Sequence, residues 1–173
     1  MEKQAFLARP HMDYKDSFID ATREFEAEGE RPPWNYDMLI NRFDEYIDTL
    51  LANETEPFAG YVPQTTYWLI VDTKYAGTID IRHHLTANLK KFGGHIGYRI
   101  RPTMRQKNYG TLQLKLALPY VWAMGIERAL ITCDDDNIAS QKIIEANGGI
   151  FQDKVNNGRR SLTRRYWIAK PKL

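Results

Sequence analysis

The heptapeptide Arg105-Gln106-Lys107-Asn108-Tyr109-Gly110-Thr111 carries the chemistry most directly readable from residue types. Two cations, an asparagine and a glycine stand just before an apolar segment with helical spacing. The first N–H groups of a helix lack intrahelical acceptors and lie at the positive end of its dipole. The turn therefore suits an anion such as phosphate. Upstream, His95, Gly97, Arg99 and Arg101 alternate with Ile96, Tyr98 and Ile100, the period of a half-buried strand. Pro102 ends that strand. A basic turn is also a common solvated loop, so its meaning depends on what stands beside it.

Other side chains offer proton chemistry. His83 and His84 follow the segment Thr78 to Arg82, and an imidazole titrating near neutrality suits a general base, directly or through water. Capping a strand end, or standing in a solvated loop, is their structural alternative. His95, at the start of its strand, reads as structural. Asp80 can serve as a base only if it points into a cleft; otherwise it is a surface carboxylate. Cys133 falls on a predicted buried strand, where a thiol is inert. The run Asp134 to Asp136 resembles a metal cluster on paper, but charge at a helix start accounts for it, and no metal is expected. Arg159, Arg160, Arg164 and Arg165 raise nucleic acid as a partner. Arginines on a terminal hairpin are more often solvated or paired, so none is expected.

The elements that must position these groups follow from pattern. Gln4 to Ala8 reads as a strand, and Asp13 to Glu28 as a helix burying Phe18, Ile19, Thr22 and Phe25. One further helix starts near Asp37, with Met38, Leu39, Phe43, Tyr46, Ile47, Leu50 and Leu51 inward. Tyr67 to Val71 and Ala76 to Arg82 form a hairpin around a turn from Asp72 to Tyr75. The connection from His83 to Gly93 has room for a short helical turn. Gly110 to Met124 is the main helix, with Leu112, Leu116, Ala117, Tyr120, Val121 and Met124 on one side and a kink expected at Pro119. Arg128 to Cys133 is a strand, and Asn137 caps a helix carrying Ile138, Ile143, Ile144 and Ala146. Ile150 to Val155 and Arg159 to Ala169 close the chain as a hairpin about Asn156-Asn157-Gly158.

Composition sets the frame. The chain has 173 residues, 43% of them apolar, and a formal net charge of +2. That is one globular domain, 1–173, with no charge imbalance pointing to nucleic acid or membrane. A single cysteine excludes an internal disulfide framework. The N-terminal residues lack a signal-peptide core and no run is long enough to span a bilayer, so a soluble cytoplasmic protein is expected.

The order strand, two helices, three strands, helix, strand, helix, two strands resembles the GCN5-related N-acetyltransferase (GNAT) family. The likeness is specific from about Gly94 to Gly149. Arg105 to Gly110 is similar to the family's pyrophosphate loop, with Asn108 where a glycine is usual. Asn tolerates positive φ better than other side chains, so the loop can survive that change. The resemblance implies an α/β (α+β) GNAT fold: a central mixed, mostly antiparallel twisted sheet of about seven strands flanked by about four helices. It implies acetyl-CoA as cosubstrate and no metal. Tyr98, Arg99 and Ile100 would pair with the pantetheine arm, as a strand edge pairs with a peptide. Arg105, Gln106, Lys107, Asn108, Tyr109, Gly110 and Thr111 would hold pyrophosphate, while Asn137, Ser140 and Lys142 complete the cofactor set.

Acetyl transfer needs a neutral amine, a stabilised oxyanion and a proton for the thiolate. Deprotonating an alkylamine of pKa about 10.4 at pH 7 costs roughly 4.6 kcal/mol, against about 2 kcal/mol for unassisted departure of a thiolate of pKa about 8.5. A base thus matters more than an acid. The family's usual tyrosine acid falls at Ile144 and one usual glutamate base at Thr132, so neither is present. His83 is the substitute base expected here. The acceptor is an amine on a small molecule or peptide. Glu28 and Glu30 could attract its charge, and Trp34 and Tyr36 could pack its apolar part. A homodimer through the terminal hairpin follows from the resemblance. A non-catalytic or regulatory acyl-CoA-binding module is the alternative.

Overall fold

The computed structural model describes residues 4–156, 158 and 161–172. Seven strands form one sheet in the order β1-β2-β3-β4-β5-β7-β6. They are β1 (Ala5–Ala8), β2 (Gln64–Val71), β3 (Lys74–Arg82), β4 (Ile96–Ile100), β5 (Arg128–Asp134), β6 (Ile150–Val155) and β7 (Thr163–Ala169). Every neighbouring pair is antiparallel except β4 and β5, which run parallel. The described helices are α1 (Lys15–Ala27), α2 (Tyr36–Asn41), α3 (Phe43–Ala52), α4 (Ala87–Lys91), α5 (Tyr109–Ala123) and α6 (Ile138–Ala146). The expected mixed sheet is present, flanked by six helices rather than about four.

Two cores cover the two faces. On one, Phe18, Phe25, Phe43, Tyr46, Trp68 and Tyr75 pack under α1 and α3. Phe18 stacks on Trp68 with centroids 4.9 Å apart. On the other, Leu114, Ala117 and Val121 of α5 lie on Ile79, Ile81, Ile96 and Ile131. A bulge in β3 keeps both layers supplied: Leu69 pairs with Gly77 but Ile70 pairs with Tyr75, so Ala76 is an extra residue. Tyr75 and Thr78, three apart, therefore share a face, their hydroxyls 2.7 Å apart.

Several expectations are corrected. The helix from Asp37 is two helices, broken at Arg42 (φ −134, ψ 42). The turn between β2 and β3 is tighter than read: Asp72 and Thr73 alone carry it, with φ of 46 and 69. In α5 the buried positions are Gly110, Gln113, Leu114, Ala117 and Val121, while Tyr120 is exposed. Pro119, where a kink is expected, lies inside the helix and faces solvent. In α6, Ile144 is buried whereas Ile138 and Ala146 are exposed. The final strand begins at Thr163, not at Arg159, so the hairpin connection is longer than a two-residue reversal. Asn157, Arg159 and Arg160 lie outside the described residues.

Candidate active site

The parallel junction of β4 and β5 supplies the site. Ile96 and Ile131 are its one ladder pair; beyond them the two strands diverge. The base of this splay is pinned by His95, whose N–H donates to the Leu130 carbonyl at 2.7 Å. Its Nδ1 accepts from the Leu130 N–H at 2.9 Å. Burial, reinforced by the charge of Arg82, pushes the imidazole down to about 4, which keeps Nδ1 an acceptor at neutral pH. Gly94 has φ +61, and a Cβ there would stand 2.4 Å from the Leu130 carbonyl oxygen. Only glycine fits so close an approach. His95 is structural, as its position suggested.

Above this base the splay opens into a cleft of about 690 Å³. Because side chains alternate along a strand, the two strands line it from both faces of the sheet. Tyr98, Cys133, Asn137 and Ser140 form one wall, on the α5–α6 side. Arg82, Gly93, Gly97 and Thr132, with Leu89 and Phe92 around α4, form the other. The cleft thus passes through the sheet.

On the first wall, the Tyr98 hydroxyl is 2.7 Å from Ser140 Oγ. Asn137 caps α6, its Oδ1 accepting from Ser140 N–H at 3.0 Å. Burial raises the Tyr98 phenol well above its usual range and pushes the Cys133 thiol up to about 11. Cys133 is thus a protonated thiol that nevertheless faces the cleft, a position its buried strand had hidden. On the second wall, Thr132 Oγ1 accepts from Gly93 N–H at 2.9 Å, and Arg82 Nη1 donates to the Gly93 and Gly94 carbonyls at 3.0 and 3.1 Å. These contacts hold the strap between β3 and β4 against the sheet.

The expected anion loop stands beyond the end of β4, at the start of α5. Gln106 and Asn108 have φ of 60 and 61, so the left-handed conformation foreseen at Asn108 is present, and Gln106 adds a second. Asn108 (left-handed) followed by helical Tyr109 is the backbone alternation of an anion-binding nest. No side chain caps α5, which leaves the N–H groups of Tyr109, Gly110 and Thr111 without an intrahelical partner. Gly110 also does structural work, since a Cβ there would meet Ile143 Cδ1 at 2.5 Å. Both cations of the loop have partners within the protein. Arg105 pairs with Glu28 at 2.7 Å and donates to the Ile100 carbonyl at 3.2 Å, while Lys107 donates to the Thr103 carbonyl at 2.8 Å.

The remaining candidates separate. Arg99 lies over Phe25 at 4.4 Å and pairs with Glu30, on the face opposite Tyr98, and Ile100 is buried. Lys142 is exposed and does not line the cleft. His83 Nε2 is 2.8 Å from Thr65 Oγ1 and is also absent from the cleft lining. Glu28 and Glu30, read as lures for an amine, are instead the partners of Arg105 and Arg99. Tyr36 is half-buried and Trp34 packs edge-on against Tyr46. Asp80 is not a surface carboxylate: it sits half-buried on the sheet and accepts from Thr66 Oγ1 at 2.6 Å. Ile144, at the acid position, is wholly buried. Asp135 is neutralised by Lys154 and Arg164 rather than by a helix end, and Arg165 by Asp153. Among the described residues no cluster could hold a metal, and no helix is long and apolar enough to cross a membrane.

Comparison with known proteins places this arrangement. A solved acetyltransferase from Salmonella typhimurium, which modifies the N-terminal serine of ribosomal protein L7/L12, superimposes with a TM-score of 0.69. It is 13% identical, with 98% of this chain and 100% of that one covered. RimL, a ribosomal L7/L12 alpha-N-protein acetyltransferase solved with coenzyme A in disulfide linkage to one of its cysteines, gives 0.65 at 16% identity over 94% and 92%. The microcin C7 self-immunity acetyltransferase MccE, solved with acetyl-CoA and AMP, gives 0.66 at 16% over 96% and 93%. Comparison with curated protein sequences finds no match. The model of the acetyltransferase (GNAT) domain matches residues 9–150, most of the chain, and the protein belongs to that family of acetyltransferases.

Proposed function

We propose that this acetyltransferase moves an acetyl group from acetyl-CoA to a primary amine of a peptide or small molecule by direct attack in a ternary complex. The observation that carries the reading is the cleft's passage through the sheet. Donor and acceptor can enter from opposite faces and meet at the β4–β5 splay, with no covalent enzyme intermediate needed. The nest at Asn108 and the uncapped start of α5 suit the pyrophosphate. The β5-facing edge of β4 beyond Ile96 has no ladder partner among the described residues and suits the amides of the pantetheine arm. The Tyr98–Ser140 hydroxyl pair offers a proton to the departing thiolate. Relatives that act on protein N-termini make a peptide amine a natural member of the acceptor class. A second copy joining along β6, the sheet edge carrying exposed Ile150 and Phe151, belongs to the same proposal. Sedimentation velocity reads it.

Calorimetry with acetyl-CoA, followed by thiol release over a panel of peptide, amino-acid, polyamine and aminoglycoside amines, tests the reading. Absence of both heat and thermal shift with saturating acetyl-CoA would sink it. Cys133 reports donor placement independently. With the disulfide of CoA, its thiolate should displace one CoA thiol and leave a protein–CoA mixed disulfide, slowly because the thiol is largely protonated. Excess acetyl-CoA should block that adduct and Cys133→Ser abolish it. Formation undiminished by acetyl-CoA would place the thiol end elsewhere.

The regulatory alternative draws on buried Ile144 and on Thr132, whose hydroxyl is committed to Gly93. Acetyl-CoA binding without turnover on any amine would favour it.

A further inference from the structure

The carboxylate of Asp80 stands half-buried in the middle of the sheet. It projects from β3 directly opposite Gly97 of β4 and next to Thr66 of β2. Cross-strand neighbours share a face, so Asp80 stands beside the β4 backbone on the side away from Tyr98, Ser140 and Cys133. Its hydrogen bond in the structure comes from Thr66 Oγ1 at 2.6 Å. The two arginines that flank it are committed elsewhere. Arg82 holds the Gly93 and Gly94 carbonyls, and Arg99 holds Glu30 and lies over Phe25. Opposite it, Gly97 lines the cleft and presents no side chain, and the Arg82 guanidinium, itself a lining group, reaches over Gly97 on this face; Asp80 is the cross-strand neighbour of that lining rather than part of it.

Two of the neighbouring titratable groups are engaged: His83 is turned to Thr65, and the Nδ1 of His95 accepts from the Leu130 N–H.

Resting on the acetyl-transfer reading above, we propose that Asp80 is the catalytic residue that receives the proton of a primary alkylammonium acceptor. The acceptor would lie on the α1–α3 side of the sheet, across Gly97 from the thioester. The ammonium gives its first proton to Asp80, and the freed lone pair forms the C–N bond with the thioester carbonyl carbon. The C–S bond breaks, the second nitrogen proton ends on the CoA sulfur, and Asp80 releases its own to solvent. Burial raises the Asp80 carboxyl above its usual range, opposed by the Thr66 hydrogen bond and by Arg82 and Arg99, which strengthens it as a base. Tyr46 of α3 and Tyr75 of β3 are the other titratable groups facing it.

The test uses Asp80→Asn, which keeps an acceptor for Thr66, and Asp80→Glu. Acetyl-CoA affinity is read by calorimetry, and kcat/KM on the best panel amine across pH. Asp80→Asn should lose about 10²–10³-fold in kcat/KM near neutral pH. Its acetyl-CoA affinity should be unchanged, and the deficit should shrink as pH approaches the amine's own pKa. Asp80→Glu should recover part of the rate. As a second variant, Thr66→Val removes a hydrogen bond that favours the carboxylate and should move the acid limb to higher pH. Wild-type turnover with an unimpaired Asp80→Asn, or with a deficit equal at every pH, overturns the proposal and leaves the acetyltransferase reading intact. Wild type that fails to bind acetyl-CoA overturns both.

Discussion

Two left-handed side chains concentrate the chemistry of the anion loop in single residues. Asn108, at φ 61 and ψ 7, takes a conformation that costs most L-residues about 1–2 kcal/mol and costs Asn less. The loop's shape, not a side-chain contact, is what presents the first N–H groups of α5. Asn108→Val should therefore weaken acetyl-CoA binding about tenfold, the equivalent of roughly 1.4 kcal/mol. Because the position is exposed, the melting temperature should hardly move. Asn108→Gly should bind as well as wild type or better. Calorimetry on the two variants checks this, and a valine variant of native affinity would remove the nest from the binding account. This much was legible in the sequence, since Asn is the side chain that stands in most readily for glycine at positive φ. Gln106 was not: nothing in a glutamine announces φ 60, which the surrounding turn imposes.

At the scale of elements, the loop is moored to α1. Arg105 meets both carboxylate oxygens of Glu28, at 2.7 and 3.0 Å, and the Ile100 carbonyl. The pair is over 40% exposed, so its contribution to stability is about 0.2–1 kcal/mol, but it sets where the loop stands. Arg105→Glu opposes two carboxylates and should weaken acetyl-CoA binding at least fivefold. Glu28→Arg in the same chain restores the pair with reversed polarity and should recover most of that loss. If the double variant stays as weak as the single one, Arg105 acts on the phosphates themselves. No sequence pattern could have revealed the mooring, because Glu28 lies 77 positions from Arg105. The break at Arg42 was hidden for a related reason. Leu39, Phe43, Tyr46 and Ile47 form one apolar stripe, and the two helices meet the aromatic core with it unbroken. The β4 alternation and the α6 cap were readable because each depends on residues a few positions apart.

At the scale of the whole molecule, one largely buried pair ties the α1 layer to the exit of β4. Arg101, with 11% of its side chain exposed, gives Nε and Nη2 to Glu24 Oε1 at 2.9 and 2.7 Å and Nη1 to Ser17 Oγ at 3.1 Å. Thr103 donates its N–H and hydroxyl to the second Glu24 oxygen. Burial alone would raise the Glu24 carboxyl, but the hydrogen bonds from Arg101 and Thr103 outweigh it and hold the group below its ordinary 4.5. A carboxyl depressed on folding stabilises the fold above its unfolded pKa, and the contribution is lost as pH falls through the folded value. Urea unfolding should therefore show this part of the stability intact down to about pH 5 and declining below it. Glu24→Gln leaves the Arg101 charge uncompensated and should cost about 2 kcal/mol at neutral pH. That is below the roughly 3–5 kcal/mol of a fully buried pair, because Glu24 keeps 22% of its side chain in solvent. The same variant should lose this share of the acid sensitivity. Glu24→Leu combined with Arg101→Met should regain much of the neutral-pH stability, since a desolvated pair is replaced by packing. An acid limb as steep in Glu24→Gln as in wild type would assign it to other carboxylates and remove this pair from the account of how the layers are held.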